Sequence, residues 1–202
     1  MTYDLLSALA GFAIVTLFTP GPNNLMLMAS GVSFGYRRTL PHLLGVALGF
    51  PVMMLAVGVG LAQVFTWVPV LHLVLKVASV LFMLWLAWKI ATKHAPEGAG
   101  KTAGPSGGQP LRFLQAAAFQ WVNPKAWAMA MTATSAYLPA PGLAGVMAVA
   151  AVFCGLGLLS SHTWVLAGRA VAALLRDPRH LRVFNLLMAL LLVLTLWPLV
   201  MH

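Results

Sequence analysis

The chain has 202 residues, of which 61% are hydrophobic and only 7% are charged, with a formal net charge of +9. A soluble domain carries about a quarter charged residues, so this composition excludes a soluble protein and predicts burial in lipid. The basic residues lie in short clusters between apolar segments, which favours membrane topology over nucleic-acid binding. Membrane lipid is therefore an expected partner, and nucleic acid is not.

Six apolar segments are each long enough to cross a bilayer as a helix of about 20 residues. Each is expected to be helical, because backbone exposed to lipid must satisfy its own hydrogen bonds. The segments cover residues 5–33, 41–64, 68–90, 112–138, 141–166 and 183–201. The predicted fold is therefore an all-α membrane protein with six transmembrane helices in a single transmembrane domain, residues 1–202.

Residues 94–111 are rich in Gly, Pro and Ser and predict a flexible linker that divides the chain almost in half. The first half, 1–93, and the second half, 112–202, each hold three predicted helices. Because three is odd, the second half enters the membrane from the opposite face. We therefore predict two inverted three-helix repeats, an arrangement common among secondary transporters.

Basic residues are concentrated in alternate loops, which predicts the orientation of the chain. Arg37 and Arg38 follow the first segment. Two further groups surround the linker and precede the last segment: Lys89, Lys93, Lys101 and Arg112, then Arg169, Arg176, Arg179 and Arg182. The positive-inside rule makes these loops cytoplasmic, so both termini are predicted to lie outside.

The first predicted helix is interrupted by the sequence TPGPNN at residues 19–24. Pro20 and Pro22 lack an amide hydrogen and Gly21 frees the backbone, so carbonyls one turn earlier lose their partners. Asn23 and Asn24 are expected to cap the half-helix that follows. Its positive N-terminus within the bilayer would suit a substrate carboxylate. The alternative is a simple proline kink.

The first helix of the second half is also broken, by the sequence NPKAW at residues 123–127. Asn123 and Pro124 precede Lys125, which lies too deep in its segment for its side chain to reach water easily. A charge in this position costs at least about 2.5 to 3.5 kcal/mol. Two interpretations stay open. Lys125 either bonds carbonyls freed by the prolines and joins helices, or it faces a polar pathway and binds a charged group.

The acidic residues exclude several kinds of chemistry. Asp4, Glu97 and Asp177 all lie at segment ends or in loops. Paired-carboxylate catalysis and an acidic metal site are therefore not expected. The Cys and His residues also lack the spacing of a zinc site. We expect no enzyme activity, no metal and no cofactor.

The two broken helices in a six-helix chain of this length resemble the LysE/RhtB family of amino-acid exporters, over nearly the whole sequence. A closer likeness is to its cysteine/O-acetylserine exporter subgroup. It rests on WLAWKIA at 85–91, FLQAAAFQWVNPKAW at 113–127, LAGR at 166–169 and FN at 184–185.

The resemblance implies a multi-pass secondary transporter in the plasma (inner) membrane that exports amino acids or their derivatives by proton antiport. It places Pro20, Gly21, Pro22 and Asn23, with Asn123, Pro124 and Lys125, in the transport core. Lys125 is the candidate proton carrier, because no acidic residue lies deep in the chain.

The sequence is compatible with two classes of function. The first is export by alternating access, in which the two halves rock and a zwitterionic amino acid meets the half-helix at Asn23 and Asn24. The alternative is a structural or assembly subunit of a membrane complex with no transport activity. The sequence leaves open which amino acid is exported, the coupling ion and its stoichiometry, and whether the chain forms a homo-oligomer.

Overall fold

A computed structural model of the protein describes residues 2–63, 67–92, 109–138 and 142–196. Within these ranges the regular structure is helical and no strand occurs, which confirms the predicted all-α class. The helices are α1 (Tyr3–Phe18), α2 (Pro22–Gly58), α3 (Pro69–Ala91), α4 (Phe113–Phe119), α5 (Pro124–Ala136), α6 (Leu143–Val171) and α7 (Pro178–Leu194). Most of the predicted linker, residues 94–108, lies outside the described residues.

Among the described helices, three are long and apolar enough to cross a membrane unaided: Pro22–Gly58, Leu73–Ala91 and Leu143–Val171. Helix α1 is apolar but has only 16 residues, because it ends at the first break. The predicted fourth span is divided into α4 and α5 by the second break. The arrangement of six spans as inverted repeats therefore stays a prediction.

The range Pro22–Gly58 consists of two helical stretches that meet at a kink at Gly35, and it includes parts of two predicted segments. The sequence pattern predicts a loop between residues 33 and 41, yet the backbone stays helical on both sides of Gly35. Only Gly35, with φ 73° and ψ 175°, departs from helical geometry. A positive φ is accessible to glycine at no steric cost. The predicted start of the second segment at residue 41 is therefore too late.

Helices α2 and α6 approach so closely that their backbones touch at two glycines. A Cβ atom added to Gly31 would lie 2.3 Å from the Val165 carbonyl oxygen. A Cβ atom added to Gly168 would lie 2.1 Å from the Met28 carbonyl oxygen. Small residues permit this close packing between membrane helices. The contact joins the first half of the chain to the second.

A cluster of aromatic rings fills the core where α1, α2, α5 and α6 meet. The Phe153 ring packs edge-on against Phe50, with centroids 5.5 Å apart, and against Phe12 at 6.1 Å. Tyr137, which follows α5, stacks on Phe12 at 5.2 Å. Edge-to-face and offset-stacked pairs add to the stabilisation from burial alone. This aromatic cluster lies beside the candidate site.

Candidate transport site

The first break separates α1 from α2 as the sequence predicts. Helix α1 ends at Phe18, and α2 begins at Pro22 with Gly21 in an extended conformation before it. Proline suits the first position of a helix, where its missing amide hydrogen has no partner to lose. No side chain caps the N-terminus of α2.

The two asparagines of the first break do not cap α2, so the capping role predicted for them is wrong. The Asn24 amide nitrogen donates to the Leu17 and Thr19 carbonyl oxygens, at 2.7 and 2.9 Å. Asn24 therefore satisfies carbonyls at the end of α1. The Asn23 amide pairs instead with Gln120, donating at 2.8 Å and accepting at 3.2 Å.

The second break has the capped geometry that the first lacks. Residues Gln120–Val122 form a single 3-10 turn, and Asn123 then takes an extended conformation before α5 begins at Pro124. The Asn123 side-chain oxygen accepts a hydrogen bond from the Lys125 amide at 3.1 Å. Asn123 is almost completely buried. The Ala126 and Trp127 amides donate to the Asn123 carbonyl oxygen, so Asn123 satisfies the first amides of α5.

Lys125 connects the two breaks directly. Its ammonium nitrogen, Nζ, donates to the Thr19 carbonyl oxygen at 2.7 Å. The side chain crosses Gly21, where an added Cβ atom would lie 2.9 Å from the Lys125 Cδ atom. A carbonyl freed by the first break thus accepts a hydrogen bond from the one cation of the second break.

A small cavity of about 30 Å³ lies between the breaks. Six of the eight predicted site residues line it: Gly21, Pro22, Asn23, Asn24, Asn123 and Lys125. Pro20 and Pro124 do not. A volume of this size holds one or two water molecules, whereas an amino acid has at least five heavy atoms. The cavity must therefore widen before an amino acid can enter it.

The sequence interpretation missed two polar residues at this site. Ser160 on α6 donates to the Leu17 carbonyl oxygen at 2.8 Å, and it lines the cavity. Gln120 is fully buried and holds Asn23. An uncharged amide inside an apolar segment, three residues before Asn123, was the available signal for Gln120. No comparable signal marks Ser160, because serine is a common small residue where membrane helices pack.

The reciprocal bond between Asn23 and Gln120 gives a stability prediction. Replacing either residue by leucine leaves a buried amide without its partner, which costs about 1 to 3 kcal/mol of unfolding free energy. Gln120→Leu is expected to cost more, since Gln120 also donates to the Ala116 carbonyl oxygen at 2.9 Å. The loss of unfolding free energy in the double variant should be smaller than the sum of the two single losses by at least about 1 kcal/mol. Denaturant unfolding in detergent measures the three values, and additive losses would show that the pair is not coupled.

Similarity to known proteins places the chain in a family. The model of the LysE type translocator family matches residues 14–197. The chain is 35% identical, over 196 residues, to the cysteine/O-acetylserine efflux proteins of Escherichia coli strain K12 and Shigella sonnei strain Ss046. Each alignment covers 96% of this chain and 96% of the relative. No solved structure matches the chain.

The family match and the efflux proteins among the relatives indicate a membrane transporter rather than an enzyme. The chain belongs to the LysE type translocator family. The resemblance identified from TPGPNN and NPKAW is thereby confirmed. Within the described residues, no group of three or more His, Cys, Asp or Glu side chains could hold a metal ion.

Proposed function

We propose that this translocator exports small neutral amino acids or their derivatives across the plasma membrane. The family match and the efflux activity in the names of its relatives support amino-acid export. Cysteine and O-acetylserine, which those relatives are named for, both have short uncharged side chains. The observation that carries the proposal is the hydrogen bond between Lys125 and the Thr19 carbonyl, at the junction of two broken helices.

The two ends of a zwitterionic amino acid match the two kinds of group at this junction. The uncapped N-terminus of α2 and the Lys125 ammonium favour a carboxylate. The carbonyls of Leu17 and Thr19 favour an ammonium. They already accept hydrogen bonds from Asn24 and Lys125. These groups therefore form a site with opposite polarity at its two sides.

The Lys125 ammonium has the same chemistry as the α-ammonium of a substrate. The substrate would take over the Thr19 carbonyl, and Lys125 would turn to bind the substrate carboxylate. This exchange keeps each buried charge paired, which avoids the large cost of an isolated charge. The glycine at position 21 leaves room for the Lys125 side chain, because an added Cβ atom would lie 2.9 Å from its Cδ atom.

The absence of acidic residues supports a substrate with a neutral side chain. Among the described residues, those that line the cavity include no Asp or Glu. A basic amino acid would bring a second cation next to Lys125 without a counter-charge. We therefore expect lysine and arginine to be poor substrates.

The proposal includes the inverted-repeat architecture and alternating access. Residues 1–93 and 112–202 would form the two repeats of one domain, with the linker, 94–111, in the cytoplasm and both termini outside. In support, the breaks at Gly21 and Asn123 each interrupt the first helix of a half. Rocking of one half against the other would expose the cavity to each side in turn. Proton antiport would drive the cycle, with Lys125 as the candidate proton carrier.

Export from proteoliposomes tests the proposal. Vesicles containing the purified protein are loaded with labelled cysteine, serine, alanine or lysine, and release is followed with and without a pH gradient. We expect saturable release of the three neutral amino acids, faster with the gradient, and little release of lysine. Release no faster than from protein-free vesicles would contradict export and favour the alternative of a structural subunit. A rate independent of the gradient would contradict proton antiport alone.

A further inference from the structure

One wall of the cavity is formed by a single face of α6. Phe153, Gly157, Ser160 and Ser161 all line the cavity and follow helical spacing. Gly157 is buried, yet a Cβ atom added to it would meet nothing within 4 Å. The space beside Gly157 is therefore the space of the cavity itself.

Packing and backbone conformation do not explain a glycine at this position. Gly31 and Gly168 are needed because their missing side chains let two backbones touch. Gly157 makes no such contact, and its φ angle is not positive. Glycine inside a helix costs about 1 kcal/mol relative to alanine. What Gly157 contributes instead is free volume inside the cavity.

Gly157 lies between the polar and the aromatic parts of the site. Ser160, three residues later on α6, bonds the Leu17 carbonyl at the first break. Phe153, four residues earlier, belongs to the aromatic cluster. With a rise of about 1.5 Å per residue, Gly157 lies about 4.5 Å from Ser160 and about 6 Å from Phe153 along the helix axis. This separation fits the length of a short amino-acid side chain.

Ser161 provides a polar group on the same wall. Its side chain is only 3% exposed and lines the cavity. A hydroxyl, thiol or ester group on a bound side chain could exchange a hydrogen bond with the Ser161 hydroxyl there.

We propose that Gly157 sets the upper limit on the side-chain size of the exported amino acid. This inference rests on the export function proposed above and identifies its specificity-determining residue. The backbone groups of the substrate lie at the two breaks, and its side chain lies against Gly157 and points towards Phe153. The exported class is then amino acids with short uncharged side chains, polar ones included, for which Ser161 supplies a hydrogen bond.

The test compares Gly157→Ala with the wild-type protein, using labelled glycine, alanine, serine, cysteine and valine in proteoliposomes. One added methyl group fills cavity space. Export of the largest amino acid that the wild type carries should therefore fall by about tenfold or more relative to glycine. Gly155→Ala is the matched control. Gly155 lies on the same helix, is exposed, and also has open space around an added Cβ atom. Its export profile should equal that of the wild type.

Two results would overturn the inference while leaving the export function intact. One is a Gly157→Ala profile indistinguishable from that of Gly155→Ala. The other is an equal loss of every substrate in Gly157→Ala, which would indicate general obstruction rather than size selection. If the wild type itself releases none of the amino acids, the export function fails, and the inference falls with it.

Discussion

Replacing Lys125 by alanine is expected to reduce export by at least about thirtyfold while the protein still accumulates in the membrane. The substitution removes the cation proposed to bind the substrate carboxylate and leaves the Thr19 carbonyl without its donor. Removing one partner of a buried charged hydrogen bond costs about 2 to 5 kcal/mol, and each 1.4 kcal/mol is a factor of ten. Initial rates of release from proteoliposomes, normalised to folded protein, measure the loss.

Lys76→Ala controls for the loss of a positive charge within a membrane helix. Lys76 lies on α3 beside Leu73 and Val77, on a surface groove away from the cavity. Its replacement should change the export rate by less than twofold.

The interpretation of Lys125 as a helix contact alone makes a different prediction. It expects Lys125→Ala to lower the melting temperature but leave the rate per folded molecule unchanged, and that outcome would exclude a role in transport.

The positions of both breaks could be predicted because they depend on local chemistry. Pro22 and Pro124 each occupy the first position of a half-helix. The capping residue of a helix precedes that position. In the second break this residue is Asn123, which caps α5, whereas in the first break it is Gly21. Asn23 and Asn24 follow the proline, and their side chains reach other elements instead. Because the capping residue must precede the first helical residue, the sequence predicts a cap at Asn123 and none at Asn23 or Asn24.

The exact place of the kink in α2 could not be predicted from hydropathy. The segment around Arg37 and Arg38 is polar, and a polar interruption indicates where apolar character ends but not where a helix does. The kink lies at Gly35, and the helical backbone that follows it already includes Arg37 and Arg38.

The contacts of Gln120 and Ser160 could not be predicted from the sequence for another reason. Gln120 contacts a residue 97 positions earlier, and Ser160 contacts one 143 positions earlier. Such pairings depend on how the two halves pack, which no local pattern specifies.

Gly168→Ala is expected to destabilise the protein by at least about 3 kcal/mol, the largest stability loss predicted for a single methyl group in this chain. Overpacking a close contact costs typically about 1 to 3 kcal/mol, and more when the neighbour cannot move. The added Cβ atom would lie 2.1 Å from the Met28 carbonyl oxygen and 3.1 Å from the Met28 Cα atom. Both are backbone atoms, so no change of rotamer relieves the clash and α2 must separate from α6. Denaturant unfolding in detergent, with the amount of protein in the membrane, measures the effect.

The same change at three positions of α6 separates three roles of glycine. Gly155→Ala adds a methyl group on the exposed side and should raise the unfolding free energy by about 1 kcal/mol, because glycine inside a helix costs about that much relative to alanine. Gly157→Ala should give a similar gain and alter which amino acids are exported, since its methyl group meets no protein atom within 4 Å. Of the three substitutions, only Gly168→Ala should lower the unfolding free energy. A Gly168→Ala protein as stable as Gly155→Ala would show that α2 and α6 do not make the close crossing that joins the two halves.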